Sequence, residues 1–424
     1  MSRRTSRTQR SPRESVPHAS DSGIAGRRTM RGGVAGLLAV GVIALGAVLV
    51  ASSTDPSRAG AGTRTASPPR LALVQAVPVG PSTLWVIAQN ETRLSGGAQS
   101  VEVTRNAGAT WSTVTPPDLR VDGGARYLFS VVALSATRAW LAYGGAAETS
   151  HSFLASTSDA GRHWSPVGAL PPSGCVTQFV SPRDGTCTQL GGAAGSMVVV
   201  LYRTTNGGVT WRRIFANSPS STTASRGSLP FGCDKTLTFE TASTGWALFF
   251  CNAGSGAIID GTTNGGVTWS PRAVTPPRLV PEGGGGFTGP GVFRGARGAL
   301  PYVVGTDAAL YVTRDGGRSF TPVYPPGPPR PWAVDVISPT QWRLTLGRQI
   351  LGTNDAGVSW FRRTSDTVLQ PTTYRRGAPP GGIVTFTTTR DAWLVENLGG
   401  SNAALLHSSD GGRSWRRVAV PGVS

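Results

Sequence analysis

The phrase TTNGGVTW stands at residues 204–211 and returns unchanged at 262–269. Five looser copies accompany it: TRNAGATW (104–111), TSDAGRHW (157–164), TRDGGRSF (313–320), TNDAGVSW (353–360) and SSDGGRSW (408–415). All seven read Ser/Thr, any residue, Asp/Asn, any residue, Gly, two residues, Trp/Phe, and they recur every 40–58 residues. A phrase with that period marks a repeat protein in which each repeat is one supersecondary unit.

The flanks assign the phrase to a hairpin turn. Strand-like runs precede it (SVEV, AALYV, AALLH) and follow it (WSTV, WRRI, WRRVAV). The short side chains of Asn106, Asp159, Asn206, Asn264, Asp315, Asp355 and Asp410 accept bonds from backbone N–H groups a few residues on. Gly108, Gly161, Gly208, Gly266, Gly317, Gly357 and Gly412 supply the positive φ of a tight turn. The aromatic then opens the return strand and buries a large apolar surface. All of these roles are structural.

A second pattern lies upstream: STLWVIA (82–88), TRAWLAY (137–143), TGWALFF (244–250), TQWRLTL (340–346) and RDAWLVE (390–396). It is degraded in the third and fifth repeats, at RDGTCTQL (183–190) and ARGALPYVV (296–304). Each repeat therefore predicts three or four short antiparallel strands. Radial repetition of four-stranded sheets is a β-propeller. The expected fold is all-β: a seven-bladed propeller of four-stranded antiparallel blades over 71–424, preceded by one transmembrane helix.

The phrase resembles the Asp-box, or bacterial neuraminidase repeat, and the resemblance covers 71–424. With the upstream Trp strand, the chain looks most like the photosystem II stability/assembly factor-like propellers. That resemblance implies an extracytoplasmic, non-catalytic scaffold that binds and assembles proteins. Sortilin-type receptor domains and some glycoside hydrolases use the same turn. Two alternatives thus stand beside the scaffold: a sialidase or other glycoside hydrolase acting on cell-surface glycans, and a receptor-like module for a glycan or peptide. Resemblance to sialidases implies an Arg-Ile-Pro segment and a Tyr/Glu nucleophile pair with an Asp acid. The nearest string here is Arg213-Ile214-Phe215, and no Glu lies beside a Tyr. Glycoside hydrolysis needs two carboxyls across one bond. Asp184, Asp260, Asp307, Asp335, Asp391 and the glutamates Glu91, Glu102, Glu148, Glu240, Glu282 and Glu396 are the acids outside the phrases that such a pair would draw on. The sequence selects no pair among them, so no residue is assigned as catalytic.

The ends are of different character. Residues 1–31 carry eight Arg against Glu14 and Asp21 and read as a basic, disordered cytoplasmic tail. Residues 32–54 are uncharged and include VAGLLAVGVIALGAVLVA, long enough to span a bilayer as a signal-anchor helix. The positive flank places the N-terminus in the cytoplasm and the propeller outside, on a flexible stalk at 55–70. The alternative is a cleaved signal peptide and a secreted propeller.

Net charge is +18, carried by Arg with Lys235 as the one lysine. A basic ectodomain suits anionic cell-surface polymers or lipid head groups as well as a protein partner. The arginines are scattered over all repeats, a pattern against nucleic-acid binding. Cys175, Cys187, Cys233 and Cys251 are disulfide candidates. Local pairs Cys175–Cys187 and Cys233–Cys251 each flank one hairpin, and a cross-link between the two repeats stays open. No C-x-x-C occurs, and His18, His151, His163 and His407 are dispersed, so no metal or other cofactor is expected. The chain is expected to be a monomeric propeller. The long loops 216–230, 275–291, 324–332 and 363–381 are where a partner would bind. Among them Arg330, Trp332, Tyr374, Arg375 and Arg376 are of the types enriched at interfaces.

Overall fold

The computed structural model describes residues 71–90, 99–116, 126–145, 151–171, 175–191, 197–217, 227–230, 233–251, 256–278, 285–305, 307–369, 383–396 and 403–423. The basic segment 1–31, the apolar segment 32–54 and the stalk 55–70 lie outside them. Among the described residues every regular element is a β-strand, and no helix is long and apolar enough to cross a membrane.

Consecutive strands pair with one another, as short hairpin connections dictate. Leu71–Pro78, Leu84–Asn90, Gln99–Thr104 and Ser112–Thr113 form the first four-stranded antiparallel sheet. Spans 126–169, 175–216, 333–364 and 383–418 each repeat that meander. The strands between Asp234 and Val323 form one ten-stranded sheet instead. Within it, Asp234–Phe239, Gly245–Cys251, Ile259–Thr262 and Ser270–Pro271 keep the meander order. Arg297–Val304, Asp307–Thr313 and Ser319–Val323 do so as well, with Gly285–Phe287 and Val292–Arg294 both paired to Arg297–Val304. Two seams weld these halves. Cys251 pairs with Gly285, and Ala273–Val274 runs parallel to Ser319–Phe320.

The core belongs to the upstream tryptophans. Trp85, Trp140, Trp246, Trp342 and Trp393, all on second strands, are at most 2% exposed. In the two repeats without this Trp, Phe179 and Phe293 lie flat on Trp140 and Trp246 of the preceding repeat, with ring centroids 3.7 and 3.6 Å apart. The aromatics of the turn phrase are less buried than the sequence reading expects. Trp269 and Phe320 enter the core, but Trp111, Trp164, Trp211, Trp360 and Trp415 are half-buried. They sit at the turn end, and in three of them, Trp164, Trp360 and Trp415, the indole N–H is tied to a carbonyl. Trp360 Nε1 donates to Gly357 O and Trp415 Nε1 to Gly412 O, both at 3.0 Å.

First strands of successive sheets touch: Leu71–Pro78 meets Arg126–Ala133, which meets Cys175–Phe179, and Val292–Arg294 meets Ala333–Ser338, which meets Ile383–Phe386. The last sheet returns to the first. Leu71 N donates to Gly422 O at 2.9 Å, and His407 Nε2 donates to Pro81 O at 3.0 Å. Leu73, Leu84 and Val86 pack against Trp393, Val395 and Leu405. Radial repetition of four-stranded sheets that returns to its start is a β-propeller.

Gly316 and Gly317 separate two kinds of glycine in one turn. Both have positive φ, +74° and +77°. A Cβ on Gly316 would meet open space, and Ala already fills the matching place at Ala107, Ala160 and Ala356. A Cβ on Gly317 would strike the Trp246 indole. Gly316→Ala should therefore cost no more than about 1–2 kcal/mol, the ordinary penalty of a left-handed non-glycine residue. Gly317→Val should cost more, adding core disruption to a strain of about 1–3 kcal/mol. Denaturant melts of the two variants check the order; equal stabilities would contradict this account of the turn.

Candidate functional site

Each turn phrase closes the same way. The hydroxyl of its first residue accepts the N–H of the fifth, as in Gly108 N to Thr104 Oγ1 at 2.8 Å and Gly317 N to Thr313 Oγ1 at 2.9 Å. The same hydroxyl donates to the Asp or Asn oxygen, at 3.0 Å to Asn106 and 2.8 Å to Asp315. That oxygen then accepts the seventh N–H: Thr110 to Asn106 at 2.8 Å, Thr210 to Asn206, Thr268 to Asn264 and Ser319 to Asp315 at 3.0 Å. His163 to Asp159, Ser359 to Asp355 and Ser414 to Asp410 complete the set.

Two positions that the sequence leaves free are in fact constrained. The fourth residue is always Gly or Ala, because it too has positive φ. Its N–H docks on the turn between the first and second strands. Ala107 reaches Ser82 O, Ala160 Thr137 O, Gly207 Arg183 O, Gly265 Ser243 O, Gly316 Ala296 O, Ala356 Thr340 O and Gly411 Arg390 O. The seventh residue is Thr, Ser or His, whose side chain bonds the same Asp or Asn, as Thr110, His163 and Ser414 do. These bonds hold Asp159 and Asp315 well below the usual carboxylate range, and Asp355 at about 2. At Asp410 burial opposes the shift, but bonds from Ser414, Ser408 and Arg413 outweigh it and leave the carboxyl at about 2.

The docking places all seven phrase turns on one face, beside the turns between first and second strands. Arg183, Arg294, Arg297 and Arg390 stand exposed there. On the same face a cleft of about 550 Å³ crosses the fifth, sixth and seventh repeats. Arg294 and Arg297, Ser338, Thr340, Gln341 and Thr387–Thr389 line it, with Ile337 and Pro339 as its apolar part. No carboxylate is among these residues. Cations, hydroxyls and an amide converging on one cleft suit an anionic or polar ligand. The two arginines close the tight hairpin FRGAR (293–297), whose Gly295 has φ +59°. Paired arginines around a Gly-Ala turn were the available signal, hidden inside what reads as a degraded strand.

The described acids outside the phrases are dispersed, and several are engaged. Asp184 accepts Ser181 Oγ at 2.8 Å, Asp391 accepts Thr388 Oγ1 at 2.7 Å, and Asp307 holds Arg278 through two bonds of 2.8 and 2.9 Å. Glu102 accepts Thr113 Oγ1, and Glu240 accepts Gly295 N. Asp260 is buried, which pushes its carboxyl up to about 6 despite Arg272 and Lys235. Burial lowers Lys235 to about 8, and its Nζ donates to Cys233 O at 2.8 Å. Glu91, Glu148 and Glu282 lie outside the described residues.

Cys175 is bonded to Cys187, joining a first strand to its second, and Cys233, just before a first strand, to Cys251 on the second, with Cα–Cα distances of 5.5 and 4.7 Å. His163 is bonded to Asp159 at the surface, whereas His407 is buried against Trp393. Among the described residues no cluster of His, Cys, Asp or Glu could hold a metal ion. Of the loop residues singled out by type, Arg330 is exposed but Trp332 is not. Trp332 is 3% exposed and packs with Trp342 and Leu344, so it serves the core and not a docking surface. Tyr374, Arg375 and Arg376 lie outside the described residues.

No family model matches the chain, and no curated protein matches it. Among solved structures it is similar to YCF48 bound to D1 peptide, with 14% identity, 81% of this chain and 94% of that chain covered, and a TM-score of 0.46. It is also similar to YCF48 from Cyanidioschyzon merolae, with 14% identity, coverage of 82% and 95%, and a TM-score of 0.44. A prolyl endopeptidase structure shares 10% identity, with 83% of this chain and 50% of that chain covered, at a TM-score of 0.53. This last likeness is one of fold.

The repeats supply their own test of what the turn acids do. Asn stands at 106, 206 and 264 where Asp stands elsewhere, and its Nδ2 donates to the threonine that replaces the serine, as Asn206 does to Thr210 at 2.9 Å. An acceptor oxygen, and no charge, is what the turn requires. Asp355→Asn should melt with the parent at neutral pH, whereas Asp355→Ala should melt lower. The sign at acid pH follows from the lowered Asp355 carboxyl. Its stabilisation is present above the unfolded value of about 3.9 and is lost as pH falls through the folded value. Asp355→Asn should therefore lose less on acidification than the parent in thermal scans.

Proposed function

We propose that this chain is a seven-bladed β-propeller that works as a non-catalytic binding and assembly scaffold on the outer side of a membrane. The blade count treats the ten-stranded sheet as two blades, the fourth and fifth, joined along two seams. The family resembled by the turn phrase implies the scaffold role. One observation carries it: the cleft presents Arg294 and Arg297 among hydroxyls and an amide, while the acids of the repeated turns are consumed in hydrogen bonds that shape those turns. Two guanidinium groups above polar walls suit an acidic or C-terminal peptide segment of a partner, held by charge-assisted bonds. The uncharged segment 32–54 acts as the anchor, with the basic tail inside and the propeller outside.

Chemical cross-linking on intact cells tests this reading. The full-length chain should capture a protein partner, and capture should weaken as ionic strength rises, because the cleft arginines are exposed. Arg294→Glu with Arg297→Glu should abolish capture at an unchanged melting temperature. Undiminished capture by the double variant would remove the cleft from the account. Turnover of a sialoside or xyloglucan by the purified protein, lost on one acid-to-amide change, would replace the scaffold with a glycoside hydrolase.

A further inference from the structure

Side chains that imitate a backbone tie neighbouring first strands together. Gln75 accepts Val131 N at 2.7 Å through Oε1 and donates to Val131 O at 3.2 Å through Nε2. Gln178 does the same to Phe239, at 3.1 and 2.9 Å. Asp335, on Ala333–Ser338, holds the third such place, its Oδ2 accepting Phe386 N. Alternate residues of an antiparallel edge strand turn both N–H and C=O away from the partner strand. Val131 and Phe239 thus offer a donor and an acceptor side by side, and Phe386, at the same place in its strand, does likewise. An amide matches that pair. A carboxylic acid matches it too, whereas a carboxylate has two acceptors and no donor.

Asp335 keeps some surface open, but its carboxyl is enclosed by protein. Loss of solvation pushes it up to about 7, against the lowering effects of the Phe386 and Val336 amides and of Arg343. Arg343 lies opposite Asp335 in the strand register, but its guanidinium is committed to Trp342 O, Thr353 O, Asn354 Oδ1 and Thr389 O. Ile383–Phe386 brings no ionisable side chain. From the other neighbouring sheet come Arg294 and Arg297, which line the cleft, and Tyr302, which packs with Phe287 and Tyr311.

We propose that Asp335 is the proton-carrying equivalent of Gln75 and Gln178, clasping both backbone groups of Phe386 when its carboxyl is protonated and releasing the carbonyl when it ionises, so that the seam between the sixth and seventh repeats loosens as pH rises. The position gives this a consequence for the cleft. Ile337, two residues beyond Asp335, and Thr387, next after Phe386, both line it. The clasp therefore bears on how these two lining segments sit. The inference stands on the seam and holds whatever occupies the cleft.

An acid raised in the fold contributes stability that is whole below its unfolded value and lost as pH rises through the folded one. The window runs from about pH 4 to somewhat above pH 7. Hydrogen exchange of segment 383–390 in the full-length chain, taken at each pH as a ratio to Asp335→Asn, reads the seam free of the intrinsic pH dependence of exchange. The ratio should rise several-fold from about pH 5 to about pH 8 and then level, with the parent's melting temperature falling relative to the variant over the same interval. Asp335→Gln should behave as Asp335→Asn. Gln178→Glu should import the same response into segment 234–239, a readout that survives even if the Asp335 variants fail to fold. A ratio independent of pH, or a Gln178→Glu seam indifferent to pH, would overturn the proposal.

Discussion

The hydroxyl at the head of each turn phrase is the interaction on which the rest depends. It accepts the glycine N–H four residues on and donates to the Asp or Asn oxygen, so one side chain satisfies two groups that a tight turn would otherwise leave unpaired. With the turn locked, the fourth N–H is aimed outward, and in all seven repeats it finds the carbonyl of the neighbouring first-to-second strand turn. Each sheet is thereby closed at one end by bonds that do not vary. Variation is pushed to the opposite end, where the long connections lie, and to the seams between sheets.

That constraint separates what the sequence exposes from what it conceals. The turn is local, spanning eight residues, so its residue types announce it. The upstream Trp strands also declare themselves, because a large apolar residue in an alternating run has few other uses. What the phrase concealed was its own fourth and seventh positions. Gly or Ala, and Thr, Ser or His, look like unconstrained variety until the backbone shows a second left-handed residue and a second bond to the Asp or Asn. The phrase aromatics were also less buried than expected: Trp111, Trp164, Trp211, Trp360 and Trp415 stay half-buried, whereas every second-strand Trp is at most 2% exposed.

Apart from the paired arginines of FRGAR, the cleft was not legible, for a geometric reason. Its residues come from three repeats, and only the ring brings FRGAR beside SPTQ and TTTR. Trp332 shows the same limit from the other side. Its residue type and loop suggested a surface anchor, but the loop carries it back into the core beside Trp342. Residue type identifies interface candidates only where the chain path is known.

The seams between sheets differ in how they are held. The fourth and fifth repeats are fused by backbone pairing on two edges. The seventh and first are joined by Leu71 to Gly422 and by His407 to Pro81. Gln75 and Gln178 stitch two further seams with neutral amides. The fifth and sixth repeats meet through apolar packing of Leu310 and Val312 against Trp342 and Leu344. The sixth and seventh are held by Asp335, by Arg343, a buried cation bonded to carbonyls, by packing of Ile350 with Phe386 and Leu394, and by Asp366 N donating to Arg413 O at 2.8 Å. A buried acid and a buried guanidinium are costly devices compared with an amide or a β-ladder, since each forfeits hydration that its bonds only partly replace. The cleft spans these two seams, both packed with apolar side chains, with Asp335 and Arg343 added at the second. Side-chain bonds can shift without breaking a sheet, and a ligand that bridges Arg294 and Thr388 would act across both seams.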